Sequence, residues 1–204
     1  HPIAVLAALK TYAQGHGEKG KLSWTPVQKI VDALDSAFYL AFKAVEPTGK
    51  SILLALDVSG SMYGNPVAGV AGLDAATAAA AMALVTANVE PDYEVMGFSH
   101  QLVDVPISPK MRLDQVVQIM QAIPMGGTDC ALPMIWAAEK KLKFDMICCY
   151  TDSETWAGHV HPSEALKSYR KKMDLPRAKL AVLGVCSNGH TIADPNDFDM
   201  LDIS

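Results

Sequence analysis

ILLALDVSGSM, residues 52–62, sets five apolar residues ahead of an acid, Asp57, and then places hydroxyls at alternate positions, Ser59 and Ser61. A short apolar run without a polar break reads as a strand buried on both faces. Such a strand gains nothing by finishing on a carboxylate and two alcohols unless something at its end takes oxygen. Three users of oxygen fit: the N-terminus of a helix, a catalytic serine and a hard metal ion.

The flanking chain repeats the pattern. Apolar runs at 93–98, 145–150 and 179–186 alternate with segments of helical spacing at 74–89, 113–122, 130–141 and 162–173. That alternation predicts a parallel sheet covered by helices. QLVDVPI (101–107), close behind FSH, predicts a short antiparallel edge strand, and MLDI (200–203) a last strand. Ahead of the sheet lies a helix over 1–12, broken by GHGEKGK. A second helix is expected from Thr25, with Pro26 in its first turn and an apolar stripe through Ile30, Leu34, Phe38 and Phe42. The expected fold is α/β: a Rossmann-like, doubly wound, mostly parallel sheet with one antiparallel edge strand and helices on both faces, preceded by a helical segment. The expected division is a helical lead-in at 1–49 and a sheet domain at 50–204.

Half of the 204 residues are hydrophobic, enough for a sizeable core. No apolar run approaches the roughly 18 residues of a membrane helix, so no membrane partner is expected. The start HPIAVLAALKTY does not read as an export signal. Cys130, Cys148, Cys149 and Cys186 form no CxxC, and the adjacent pair on a strand points to opposite faces, so they are expected to be reduced, in a cytoplasmic protein. A net charge of −5 argues against a surface that grips phosphate throughout. Basic residues are nonetheless clustered, with six lysines against four acids in residues 1–50 and six basic against two acidic residues in 164–179. Such runs are most often the solvated face of a helix, with a phosphate-contacting patch as the minority reading.

In an open parallel sheet, ligands sit beyond the carboxyl ends of the strands. Three polar clusters fall there: DVSGS after the first strand, GGTD at 126–129 before a helix, and YTDSET after the strand at 145–150. Asp57, Ser59, Ser61, Thr128 and Asp152 then offer two carboxylates and three hydroxyls, with no imidazole or thiolate. Oxygen-only donors suit magnesium, with manganese or calcium as alternatives, and do not suit zinc or copper. A set with so little charge holds magnesium loosely, with waters retained and a position open to a carboxylate from a partner. Taken singly, capping is the better reading: Asp57 could cap a turn, Ser61 or Asp74 the following helix, and Thr128 or Asp129 the helix over 130–141. Taken together, acids at the ends of two buried strands exceed what caps require.

DVSGS, GGTD and TD, in this order, resemble the three loops of the metal-ion-dependent adhesion site of von Willebrand factor type A domains. The resemblance covers residues 50–204 and implies Asp57, Ser59, Ser61, Thr128 and Asp152 as the metal set, with Ser153 where the family usually has glycine. Longer segments, among them AALKTYAQGHGEKGKLSWTP, PMGGTDCALPMIWA, YTDSETWAG and HPSEALKSYRKKMDLP, are similar to the carboxyl-terminal region of the Ro autoantigen family. These are RNA-binding proteins that pair a TROVE ring of helical repeats with a type A domain. The resemblance implies a full-length protein that binds Y RNAs and misfolded noncoding RNAs in RNA quality control, and an acidic residue of a protein partner at the metal site.

A catalytic reading lacks its parts. Neither VSGS (58–61) nor VCSNG (185–189) is a GxSxG elbow, and the metal set has no positioned nucleophile or base, so no enzyme is expected. GHGEKG (15–20) matches GxGxxG but follows a helix rather than a strand. Its lysines, Lys19 and Lys21, and the run Arg170, Lys171 and Lys172 are the candidate RNA contacts. His159 and His161 have no third zinc ligand in view.

Overall fold

The computed structural model describes residues 1–17, 19–64, 66–67, 70, 72–124, 126–152, 158–186 and 191–203. Two helices, α1 (Pro2–Gln14) and α2 (Gln28–Leu40), lead into β1 (Ile52–Asp57), α3 (Ala75–Val89), β2 (Tyr93–Phe98) and β3 (Leu102–Asp104). There follow α4 (Leu113–Gln121), α5 (Leu132–Lys140), β4 (Met146–Thr151), α6 (Pro162–Met173), β5 (Lys179–Gly184) and β6 (Met200–Ile203). Among the described residues the strands form one sheet in the order β3-β2-β1-β4-β5-β6. Only the β2–β3 pair is antiparallel. The chain builds outward from β1 on one side through β2 and returns to the other side with β4, so connections diverge between β1 and β4. A crevice opens at such a point beyond the strand ends.

All six residues of β1 are buried, which is why its sequence shows no alternation. Its two faces feed different cores. Ile52, Leu54 and Leu56 pack in one cluster with α1–α4, and Leu53 and Ala55 in the other with α5 and α6. Cys148 and Cys149 on β4 divide in the same way, and none of the four cysteines is in a disulfide.

The alanine-rich α3 is buried nearly all round, as expected of a helix with apolar residues on every side. It lies between the sheet and the lead-in, whose Leu6, Phe38 and Phe42 belong to the same core. Asp74 starts it, accepting from Thr77 N at 2.7 Å. At Gly97 a Cβ would stand 2.8 Å from Cγ2 of both Val103 and Val105, so the edge of the sheet closes over β2 only because that position has no side chain.

Some boundaries differ from the expected ones. The second helix begins at Gln28 rather than Thr25, because the chain before it is tied to the end of α1. Trp24 N donates to Gly15 O, Trp24 Nε1 to Tyr12 O and Val27 N to Tyr12 Oη, and these bonds hold 24–27 out of the helix. The first helix runs on to Gln14, where Gly15 at φ 83 ends it. The helix expected from 130 starts at Leu132. No helix among the described residues is long and apolar enough to cross a membrane.

Candidate metal centre

Asp57 ends β1 with no exposed surface, and its carboxylate is oriented at both oxygens. Ser59 N donates to Oδ1 at 2.8 Å, and Thr151 Oγ1, from the end of the neighbouring strand β4, donates to Oδ2 at 2.7 Å. Each carboxylate oxygen can accept a second interaction, so this clamp fixes direction and leaves lone pairs for a cation. The chain then makes a 3-10 turn at Gly60–Met62, which brings Ser59 Oγ and Ser61 Oγ to 3.1 Å of each other. Ser59 is 2% exposed.

The second loop is drawn to the same end of the sheet through β2. Asp129 N donates to Ser99 O at 2.8 Å, and Val58 N, just past β1, donates to Phe98 O at 2.9 Å. Residues 58, 98–99 and 128–129 are thereby linked, with Thr128 buried between. The His100 ring lies directly where a Cβ on Gly126 would be, so glycine lets the imidazole rest on the loop backbone. Asp152 follows Thr151 and is 1% exposed.

Burial pushes the Asp57 carboxyl up to about 6, against the downward pull of the bonds from Ser59 and Thr151, and the negative charge of Asp152 adds to the rise. Two buried acids, with three buried or half-buried hydroxyls and no basic partner of Asp57 among the described residues, form a donor set suited to a hard dication. The residues present therefore fit the metal. Asp57, Ser59, Ser61, Thr128 and Asp152 would hold it directly or through water, and it would supply a Lewis-acidic position for an outside oxygen.

The capping alternatives separate cleanly. Asp74 serves α3, and Asp129 Oδ1 accepts from Ala131 N at 3.0 Å at the start of α5, its carboxylate lying over Gly158. Thr151, Ser99 and Tyr63 were not singled out by sequence reasoning. The signal for Thr151 was there, a polar residue at the buried end of a strand directly before an acid. Nothing in the sequence marks Ser99, which acts through its carbonyl.

A family model described as the Ro60 vWA domain matches residues 51–204, and one described as the TROVE domain matches residues 5–50. The chain belongs to the Ro60 vWA family. It is 50% identical to the RNA-binding protein RO60 of Deinococcus radiodurans over 204 residues, all of this chain and 38% of that protein. It is 44% identical to the RNA-binding protein RO60 of Caenorhabditis elegans, again over the whole chain and 31% of that protein. The crystal structure of the Deinococcus radiodurans RO (RSR) protein superposes with a TM-score of 0.91 at 50% identity, covering 99% of this chain and 40% of that one. This Ro60-family chain thus spans under two fifths of the length of the curated relatives it matches.

The basic residues do not form one patch in this Ro60-family domain. Lys19 and Lys21 are exposed beyond α1, whereas Arg170, Lys171 and Lys172 end α6, which packs on the other face of the sheet. Lys171 and Lys172 are exposed, but Arg170 is turned inward. Its guanidinium meets Asp197 at 2.5 Å and Ala178 O at 2.8 Å, with 13% of the side chain exposed. His161 caps α6, accepting from Ser163 N at 3.2 Å. No group of three or more His, Cys, Asp or Glu able to hold a metal occurs among the described residues, so the imidazoles at 159 and 161 do not complete a zinc site there.

Proposed function

We propose that this chain is a noncatalytic, divalent-cation-dependent interaction domain of a Ro-type RNA-binding protein, taking magnesium and, through it, a carboxylate from a protein partner. The observation that carries the reading is the Asp57 clamp. One donor from its own loop and one from β4 aim a buried carboxylate among hydroxyls at the sheet's switch point. Asp57 and Asp152 are the charged members of the set, so a dication held there keeps positive charge, and an anionic oxygen is a better further ligand than a neutral amide.

Membership of the Ro60 family and the RNA-binding names of its relatives support RNA as a ligand of the whole protein; the proposed classes are Y RNA and misfolded noncoding RNA, and the proposed task is RNA quality control. Four cysteines outside any disulfide suit a reducing compartment, the cytoplasm.

The test is binding of a fluorescent glutamate-containing peptide and of a short single-stranded RNA to the same protein. Peptide binding should require magnesium, disappear with chelator and weaken in Thr128→Ala. RNA binding should be weak, salt-sensitive and indifferent to chelator, and any contribution should come from Lys19, Lys21, Lys171 and Lys172 rather than from the engaged Arg170. Tight RNA binding that survives high salt, beside peptide binding that ignores chelator, would reverse the assignment in favour of direct RNA recognition.

A further inference from the structure

Tyr63 lies two residues beyond the last hydroxyl of the first loop, on the turn that carries those hydroxyls. Tyr63 N donates to Gly60 O at 3.2 Å and Met62 N to Ser59 O at 3.3 Å. The ring packs against the core cluster of the α1–α4 face. Its hydroxyl is buried and has no hydrogen-bond partner among the described residues. Native structures leave few buried hydroxyls in that state, and each such case asks for an explanation. The charged groups facing it are Asp74 and Asp57. Asp57 is already clamped by Ser59 and Thr151, and Asp74 is engaged with Thr77 N.

A phenol oxygen accepts as well as donates. Water on a hard dication has its lone pair engaged and its protons made more acidic, so it donates strongly and needs acceptors close by. Magnesium in a site of low charge keeps several such waters. We infer that Tyr63 Oη accepts a hydrogen bond from a water that the cation retains, which makes Tyr63 a positioning residue of the metal site. The inference rests on the metal reading of the three loops and adds to it a fourth, outer anchor.

Tyr63→Phe keeps the ring and removes only the oxygen. Two quantities are measured on variant and parent: the melting temperature in chelator, and the magnesium dissociation constant by calorimetry. The variant should melt at the same temperature as the parent or slightly higher in chelator, since it loses a hydroxyl that has no partner there. Its magnesium Kd should rise about tenfold, the lower end for outer-shell partners of a metal. A lower melting temperature in chelator, or failure to fold, shows a structural role for the hydroxyl and overturns the inference. Equal magnesium affinity in the two proteins overturns it as well. A parent that does not bind magnesium at all is a separate outcome, and it removes the metal reading on which the inference stands.

Discussion

Removing divalent cations should make the protein's stability depend on the charge of a single buried carboxyl, and Asp57→Asn isolates that dependence. In the unfolded chain Asp57 titrates near 3.8, and in the folded, metal-free protein at about 6. A carboxyl whose folded value is raised binds more protons in the native state across that window, so folding stability falls as pH rises through it. The penalty is absent below about pH 4 and complete above about pH 6. A difference of that size between the folded and unfolded values is worth roughly 3 kcal/mol. For a protein of this length that is about 6–12 °C in melting temperature.

Asparagine can keep the geometry. Its carbonyl accepts from Ser59 N, and its amide faces Thr151 Oγ1, which can turn to accept. In chelator at pH 7, Asp57→Asn should therefore melt above the parent, and the difference should vanish near pH 4. Asp197, held below its ordinary value by Arg170, acts with the opposite sign, but it is common to both proteins and cancels in the difference. Magnesium should narrow the gap at pH 7, stabilising the parent by RT ln(1 + [L]/Kd) and leaving the variant unchanged. Thermal denaturation followed by circular dichroism across pH 4–8 reads all of this. Parallel profiles for parent and variant in chelator would refute the reasoning, because Asp57 would then carry its charge without penalty.

Thr151→Val removes the donor to Asp57 Oδ2 while keeping shape, and should raise the magnesium Kd roughly 10–100-fold in a calorimetric titration. Gly97→Ala forces a methyl against Val103 and Val105, and should cost about 1–3 kcal/mol in urea denaturation. Arg170→Ala leaves Asp197 half-buried without its partner. It should cost about 3 kcal/mol by the same assay while leaving RNA retention as in the parent.

The sheet was legible because β1, nearly all of β4 and the centres of β2 and β5 are buried on both faces, so their apolar runs are long and their boundaries fall close to the expected ones. The faces could be read from Cys148 and Cys149, which the period of a strand sends to opposite cores. The start of α2 was not legible. Pro26 is a good first-turn residue, but three hydrogen bonds from 24–27 to the end of α1 outweigh local propensity. The loops of the candidate site were legible as oxygen-rich strand ends. Their support was less so. Thr151 is marked only by standing at a strand end directly before an acid, Ser99 contributes a backbone carbonyl, and the isolation of Tyr63 Oη depends on packing from distant segments. Arg170 shows the opposite failure, since a basic run reads as solvated surface although one member is internal.

The most direct measurement of the central claim is a crystal of this chain grown with manganese and acetate, with anomalous diffraction collected to locate the metal. The expected result is one strong anomalous peak among Asp57, Ser59, Ser61, Thr128 and Asp152, carrying an acetate oxygen in its coordination shell and absent in Asp57→Ala crystals. A difference map with no peak among these loops, or one whose only manganese lies elsewhere, would contradict it.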